Sequence, residues 1–375
     1  MRTKTETIYD TDPTALAGAL PSLVEDAVDV AMHGVRLRLQ SNHRPLLDYA
    51  HNHLYTLAGR LEPPFHLQVR AYWLRGQWNP DSHPFPANGN LSILGKRMAG
   101  EKNELIWRNT LKMKGLQLRF SRNRDNTYTF DVVYYFNPKK EKLDRLPEYE
   151  YKKYFSLMSY MVYYPLMWYL ERERGMVPLH ASALEHDRGA ILIGGLGGVG
   201  KTTTCVALMQ LAGLRLIAEN IVFTDGEAIY PCYEPIRLDE DSLGMLRNSR
   251  QKLVPMAFPE GLKEKWLFHY DTAELPEQVP PAAVFLPKFA NGHGATAVAP
   301  EIAAEKMINM NRLTRELDDY EWYAAALNMI WPQPGLAARR AQTVARCFSG
   351  VPCYELIIDR RAGLQAVVED IVQQV

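Results

Sequence analysis

Residues 194–204 read GGLGGVGKTTT, and two chemistries compete for them. As G-x-G-x-x-G, Gly195, Gly197 and Gly200 form a dinucleotide fingerprint, and Glu219 follows about 20 residues on, where a ribose-binding carboxylate would sit. As G-x-x-x-x-G-K-T, Gly195, Gly197, Gly198, Val199 and Gly200 form a phosphate-binding loop that runs into Lys201, Thr202 and Thr203. The Lys201-Thr202 pair directly after the last glycine favours the second. A triphosphate uses the lysine on its β- and γ-phosphates and the hydroxyl on Mg²⁺, whereas a dinucleotide has no use for either there. Glycine-rich backbone supplies converging N–H groups, and a helix starting at the loop adds the positive end of its dipole. The expected ligands are therefore ATP and Mg²⁺. The pattern arises by accident in roughly 1% of chains this long.

Phosphoryl transfer to a hydroxyl also needs a base for the departing proton. His180 precedes the loop and Glu219 follows it. A carboxylate held by a histidine meets the need. On spacing alone, His180 serves equally as a hydrogen-bonded core histidine, and Glu219 as a surface ion pair. The signatures of motors and switches are missing. The sequence has no N-K-x-D, and the later apolar run AAVFLPKF carries Lys288 near its end and no acid.

The elements around the loop fit. VPLHASAL and GAILIGG are apolar runs joined by the polar turn EHDR, so His180 sits on a strand beside the one entering the loop. KTTTCVALMQLA reads as a helix stopped by Gly213. In LRLIAENIVFTDGEAIYPCY, Asp225-Gly226 predicts a tight hairpin, and an antiparallel return of this kind is foreign to a Rossmann half. Residues 301–329 and 336–348 are helical in pattern, PCYELIID is a strand, and residues 362–375 close as a helix.

Upstream, VRLRLQS, LQVRAYWL and LSILGK read as strands, and RPLLDYAHNHLYTLAG as a helix ending at Gly59. Residues 115–136 read as a hairpin with its turn at 123–126, while the first 30 residues show no firm pattern. YFSLMSYMVYYPLMWYL, residues 154–170, carries five tyrosines and Pro165. At 17 residues it is short of the about 20 that span a bilayer, so it reads as a buried, kinked helix. The expected division is an α+β domain at 1–147 that selects the acceptor, a connecting Tyr-rich helix at 148–175, and a nucleotide-binding domain at 176–375.

PLHASAL…GAILIGGLGGVGKTTTCVALMQLAGLRLIAENIVF resembles the catalytic core of the HPr kinase/phosphorylase family, whose core in turn resembles phosphoenolpyruvate carboxykinase. The likeness covers residues 176–240 well and the remainder in outline. It implies an α/β fold with a P-loop kinase core and a mixed sheet. It also implies that His180 orients a catalytic Glu219, that Lys201 binds phosphate and that Thr202 binds Mg²⁺. The family's paired aspartates are Glu219-Asn220 here, which leaves Asn220 an uncharged metal ligand. EPIRLDEDSLGMLR stands where HPr-acting members carry a glycine-containing segment, which argues against HPr as substrate and against phosphorylase activity. Arg237 and Lys288 are candidates for holding the transferred phosphoryl group, and ordinary surface cations are the commoner fate of such residues. Family members are often homo-oligomers, with no number fixed here.

Composition agrees with a globular protein that handles a small ligand. The chain has 375 residues, 47% hydrophobic, with 43 basic and 43 acidic side chains. That balance gives no general drive toward nucleic acid or anionic membrane. Cys205, Cys232, Cys347 and Cys353 have no C-x-x-C spacing, and four free thiols fit a reducing cytoplasm. MRTKTETIYD lacks the apolar core of a signal peptide. The sequence thus predicts a cytoplasmic ATP-dependent kinase acting on a protein, peptide or small hydroxyl compound. The alternative is a nucleotide-binding sensor of the same fold that has lost phosphoryl transfer.

Overall fold

VRLRLQS alternates, so the strand Val35–Ser41 buries Val35, Leu37 and Leu39 on one face. In the computed structural model, which describes residues 20–76, 84–85, 91–110, 112–240, 243, 252–256 and 264–375, this strand belongs to a nine-stranded sheet. Its order is Ala58–Gly59, Ala27–Met32, Val35–Ser41, Leu67–Arg75, Tyr128–Phe136, Leu116–Arg122, Glu104–Trp107, Met98–Glu101, Ser92–Gly95. Two of its pairings are parallel, Val35–Ser41 with Leu67–Arg75 and Leu67–Arg75 with Tyr128–Phe136. The hairpin read at 115–136 forms, with Asn126 left-handed at φ 68° in its turn. The stretch MRTKTETIYD lies outside the described residues.

Four strands of this sheet, Ala27–Met32, Ala58–Gly59, Met98–Glu101 and Glu104–Trp107, gave no sequence signal, and the helix read as far as Gly59 ends at Leu54. Ala27–Met32 carries Asp29 in an apolar run, yet Asp29 is buried. It faces Arg38 across the strand pair and accepts two hydrogen bonds from its guanidinium, at 2.8 and 2.9 Å, plus one from the Leu61 N–H. A charge satisfied this fully is compatible with the interior.

The chain separates into two units, residues 1–166 with 323–332, and residues 167–322 with 333–375. The division falls inside the Tyr-rich helical stretch. That stretch is a helix Tyr149–Met158, a π turn Ser159–Tyr163 and a helix Tyr164–Arg174. The irregular turn ends two residues before Pro165, whose ring and missing N–H disfavour a regular ladder. No helix among the described residues is long and apolar enough to cross a membrane. In the first unit, Tyr323 packs edge-on against Phe120, and Trp331 against Tyr128, with ring centroids 5.2 and 4.9 Å apart.

The second unit is mixed α/β. Its six-stranded sheet runs Arg215–Ala218, Ala181–His186, Gly189–Gly194, Pro281–Phe289, Cys353–Ile358, Gly294–Val298. Gly189–Gly194, Pro281–Phe289 and Cys353–Ile358 are mutually parallel, and the other neighbours pair antiparallel. Period two along GAILIG feeds two cores. Ile191 and Ile193 pack with Val206 and Leu208 of the helix Lys201–Leu211 and with Val367 and Ile371 of Gly363–Val372. Ala190 and Leu192 pack with Met307 of Pro300–Leu313 and Phe348 of Leu336–Phe348. The sheet is thus covered by helices on both faces. After Lys201–Leu211 the chain returns as Arg215–Ala218 and then forms the antiparallel hairpin Val222–Thr224 with Ile229–Pro231, which joins Val177–Leu179 in a three-stranded sheet. Gly226, at φ 98°, makes the turn, and the Asp225 carboxylate accepts from the N–H groups of Glu227 and Ala228.

Candidate functional site

The strand Gly189–Gly194 ends in a loop that turns into the helix Lys201–Leu211. The turn is built for glycine. Gly200, the residue ahead of the helix, is left-handed at φ 88°, and a Cβ at Gly195, at φ 139°, would lie 2.8 Å from the Val199 side chain. Gly197, Gly198 and Val199 complete the loop, and Lys201, Thr202 and Thr203 form the first helical turn, whose N–H groups lack intrahelical partners.

Lys201 is only 8% exposed, and its ammonium donates to the carbonyls of Gly195 and Leu196 at 2.9 and 3.0 Å. Burial lowers its pKa, with Glu219 and Glu316 opposing. The Thr202 hydroxyl donates to the Glu219 carboxylate. Ser182, from the neighbouring strand, donates to the Glu219 carbonyl and pins the backbone there. Burial raises the Glu219 pKa, while the Thr202 hydrogen bond and the charges of Arg237 and Lys201 oppose it.

His180 is 4% exposed, in the break between Val177–Leu179 and Ala181–His186. Its N–H donates to the Asn311 side-chain oxygen at 2.9 Å, and the Asn311 amide donates in turn to the Pro178 carbonyl. Burial, followed by the Lys201 charge, pushes its pKa down to about 4, so the ring is neutral near pH 7. Nδ1 lies 3.1 Å from the Gly195 carbonyl, which only accepts, so the proton sits on Nδ1 and Nε2 keeps its lone pair. The Asn220 side chain also hydrogen-bonds the ring. The sequence expectation paired His180 with Glu219. The hydrogen bonds of the ring go instead to Gly195 and Asn220, and the Glu219 carboxylate is held by Thr202.

Asn220 leads to a residue that spacing did not reveal. Its amide donates to the Glu234 carboxylate at 3.1 Å. Glu234 follows the hairpin, and the Tyr270 hydroxyl donates to its carbonyl at 2.6 Å. Burial pushes the Glu234 carboxyl up to about 7, with the Asn220 hydrogen bond and Arg237 opposing and the charges of Glu316 and Glu219 adding. No local pattern marks it, because its place depends on a turn and two strands folding back. Glu316, at the start of the helix Arg315–Asn328, faces the same group of charges and lies 3.6 Å from the Arg237 guanidinium.

Arg237 therefore belongs to the cluster. Lys288 is otherwise engaged. It is half exposed and donates to Glu355 at 2.6 Å, a surface ion pair. Pro287 and Phe289, its neighbours on the strand, approach the glycine loop, so alternation turns Lys288 to the opposite face. Of EPIRLDEDSLGMLR, residues 241–242 and 244–247 lie outside the described residues. The four cysteines are free and buried. Among the described residues no group of three or more His, Cys, Asp or Glu side chains is arranged as a metal cluster of its own.

The Glu234 carboxyl has a consequence for stability. Its folded-state pKa of about 7 lies above the usual 4.5, so the folded chain binds the extra proton between these values. Its contribution is fully present below the usual carboxyl range and is lost as pH rises through about 7. His180, lowered, runs the other way, contributing above its usual range and losing that contribution as pH falls toward about 4. Glu234→Gln should therefore flatten the fall in melting temperature between about pH 5 and pH 8. Thermal scans of both proteins across that range check it, and parallel profiles would assign the fall to other groups.

Against known sequences, no protein-family model matches the chain, and no curated protein matches it.

Proposed function

We propose that the chain is an ATP-dependent kinase with an HPr-kinase-like, phosphoenolpyruvate-carboxykinase-like core, transferring the γ-phosphoryl group to a hydroxyl of a protein, peptide or small molecule. One observation carries the reading. The Thr202 hydroxyl of the glycine loop is hydrogen-bonded to the buried Glu219 carboxylate, with the Lys201 ammonium in the same loop. Metal-side hydroxyl, phosphate-side cation and candidate base thus share one first helical turn and the strand end beside it. The order of histidine, strand, loop, helix, strand and hairpin supports the core type.

The glycine-loop N–H groups and Lys201 bind the phosphates. Thr202, hydrogen-bonded to Glu219, and Asn220, next in the chain after Glu219, would hold Mg²⁺, which supplies charge neutralisation on those phosphates when bound. Glu219 accepts the proton of the acceptor hydroxyl as its oxygen bonds the γ-phosphorus and the bond to the ADP oxygen breaks. A carboxyl pKa raised by burial makes the ionised group a stronger base. His180, neutral and fixed by Gly195 and Asn311, positions the loop carbonyl and Asn220 rather than Glu219. Arg237, 3.6 Å from Glu316 in the same charge cluster, is the candidate cation for the transferred group. The first unit, without a phosphate-directed cluster among its described residues, is read as the acceptor-selecting part.

The sensor reading draws on Asn220, which carries no charge and whose side chain is engaged by His180 and Glu234. Incubating the full chain with γ-labelled ATP and cell lysate separates the two. Label moving to an acceptor is the expected result, while binding of ATP with no labelled product from any fraction would favour the sensor.

A further inference from the structure

The three parallel strands Gly189–Gly194, Pro281–Phe289 and Cys353–Ile358 end on one edge of the six-stranded sheet. The glycine loop, residues 290–293 and residues 359–362 leave from that edge, which is where open α/β sheets bind their ligands. In register, Ile193 lies beside Phe285 and Phe289 beside Ile358, so Phe289 falls level with the glycine loop. A Cβ at Gly200 would stand 3.8 Å from the tip of the Phe289 ring. The ring is 41% exposed, and the Arg360 guanidinium lies over it, 4.2 Å from the centroid.

The segments that carry this pair are tied together. The Gly292 N–H donates to the Asp359 carboxylate at 3.2 Å, and Arg361 donates to the Asn291 side chain at 3.3 Å and to Asp359 at 2.8 Å. A part-exposed aromatic ring with a guanidinium stacked on it, on linked segments beside a candidate phosphate loop, is a preorganised surface for a flat π system. Bases stack on such rings without regard to sequence, and arginine adds a cation–π contribution.

We propose that Phe289, with Arg360 over its ring, is the stacking platform for the base of the nucleotide whose phosphates the glycine loop holds. The inference rests on the triphosphate reading of that loop and adds the half of the ligand on which that reading is silent. It also explains why Phe289 stays exposed at a strand end while Pro287, on the same face, abuts Gly195.

Two ligands separate the platform from the loop. Mg-ATP carries a base, and inorganic tripolyphosphate with Mg²⁺ does not. Calorimetric titration of the full chain is expected to show Phe289→Ala binding ATP about tenfold more weakly. Its tripolyphosphate affinity should stay within about twofold of wild type, and Phe289→Trp should restore ATP affinity because its larger face also stacks. Phe289→Ala weakening both ligands equally would make the ring a support of the loop and overturn the proposal, as would unchanged ATP affinity. If the wild type binds neither ligand, the triphosphate reading fails and takes the platform with it. If it binds both and Phe289→Ala is silent, the platform alone fails.

Discussion

Lys201→Ala is expected to weaken Mg-ATP binding by about a hundredfold or more and to leave the fold intact. The buried ammonium donates two hydrogen bonds within the loop, to the Gly195 and Leu196 carbonyls. On the proposed reading it donates to the β- and γ-phosphates when the nucleotide binds. A hydrogen bond to a charged group is worth about 1.5–3 kcal/mol, so the loss of two to phosphate exceeds a factor of about 100. Folding should survive, because alanine is the best helix former and the Gly195 carbonyl keeps its contact with the His180 ring. Displacement of a fluorescent nucleotide reads the affinity, and circular dichroism reads the fold. Wild-type affinity in a folded variant would mean that the loop does not hold phosphate.

Glu219→Gln is the second large effect. Glutamine still accepts the Thr202 hydroxyl hydrogen bond, so the loop keeps its shape, but it cannot take a proton. Transfer to the native acceptor should fall by about 10²-fold or more, while nucleotide affinity stays within a few-fold. The base must be ionised to act, and burial raises the Glu219 pKa, so the wild-type rate should climb as pH rises through that raised value. The glutamine variant should lack this limb. Single-turnover transfer from γ-labelled ATP across pH measures both. A variant running at the wild-type rate would put the base elsewhere.

How far the sequence reached follows from how local each signal was. The loop and its helix were legible because Gly195 and Gly200 need left-handed backbone and Lys201-Thr202 follows directly. The Asp225-Gly226 hairpin was legible because its turn is closed by the aspartate's own side chain. Glu234 and Glu316 were not, since they reach the charge cluster from beyond the hairpin and from a helix more than a hundred residues past the loop. The partner of His180 was misassigned for a similar reason. Strand spacing brings His180 near Glu219, but side-chain direction gives its hydrogen bonds to Gly195 and Asn220.

Other misses were errors of pattern. Asp29 hid a strand, because a lone acid in an apolar run reads as a break until Arg38 is seen opposite it. The first unit's claim on residues 323–332 was invisible, because one continuous helical pattern spans residues on both sides of the division. For Lys288, period two fixes only that it lies opposite Pro287 and Phe289, and the fold decides that their face, not its own, meets the loop.

If this loop holds a nucleoside triphosphate by its terminal phosphates, calorimetric titration of the full chain with Mg-ATP, alongside the same titration with AMP, should show one site per chain. ATP should bind at least about a hundredfold more tightly than AMP, because Lys201 and Thr202 act on phosphates and metal that AMP does not bring. Equal affinities for the two nucleotides, or no binding of Mg-ATP, would rule out a triphosphate site in the loop.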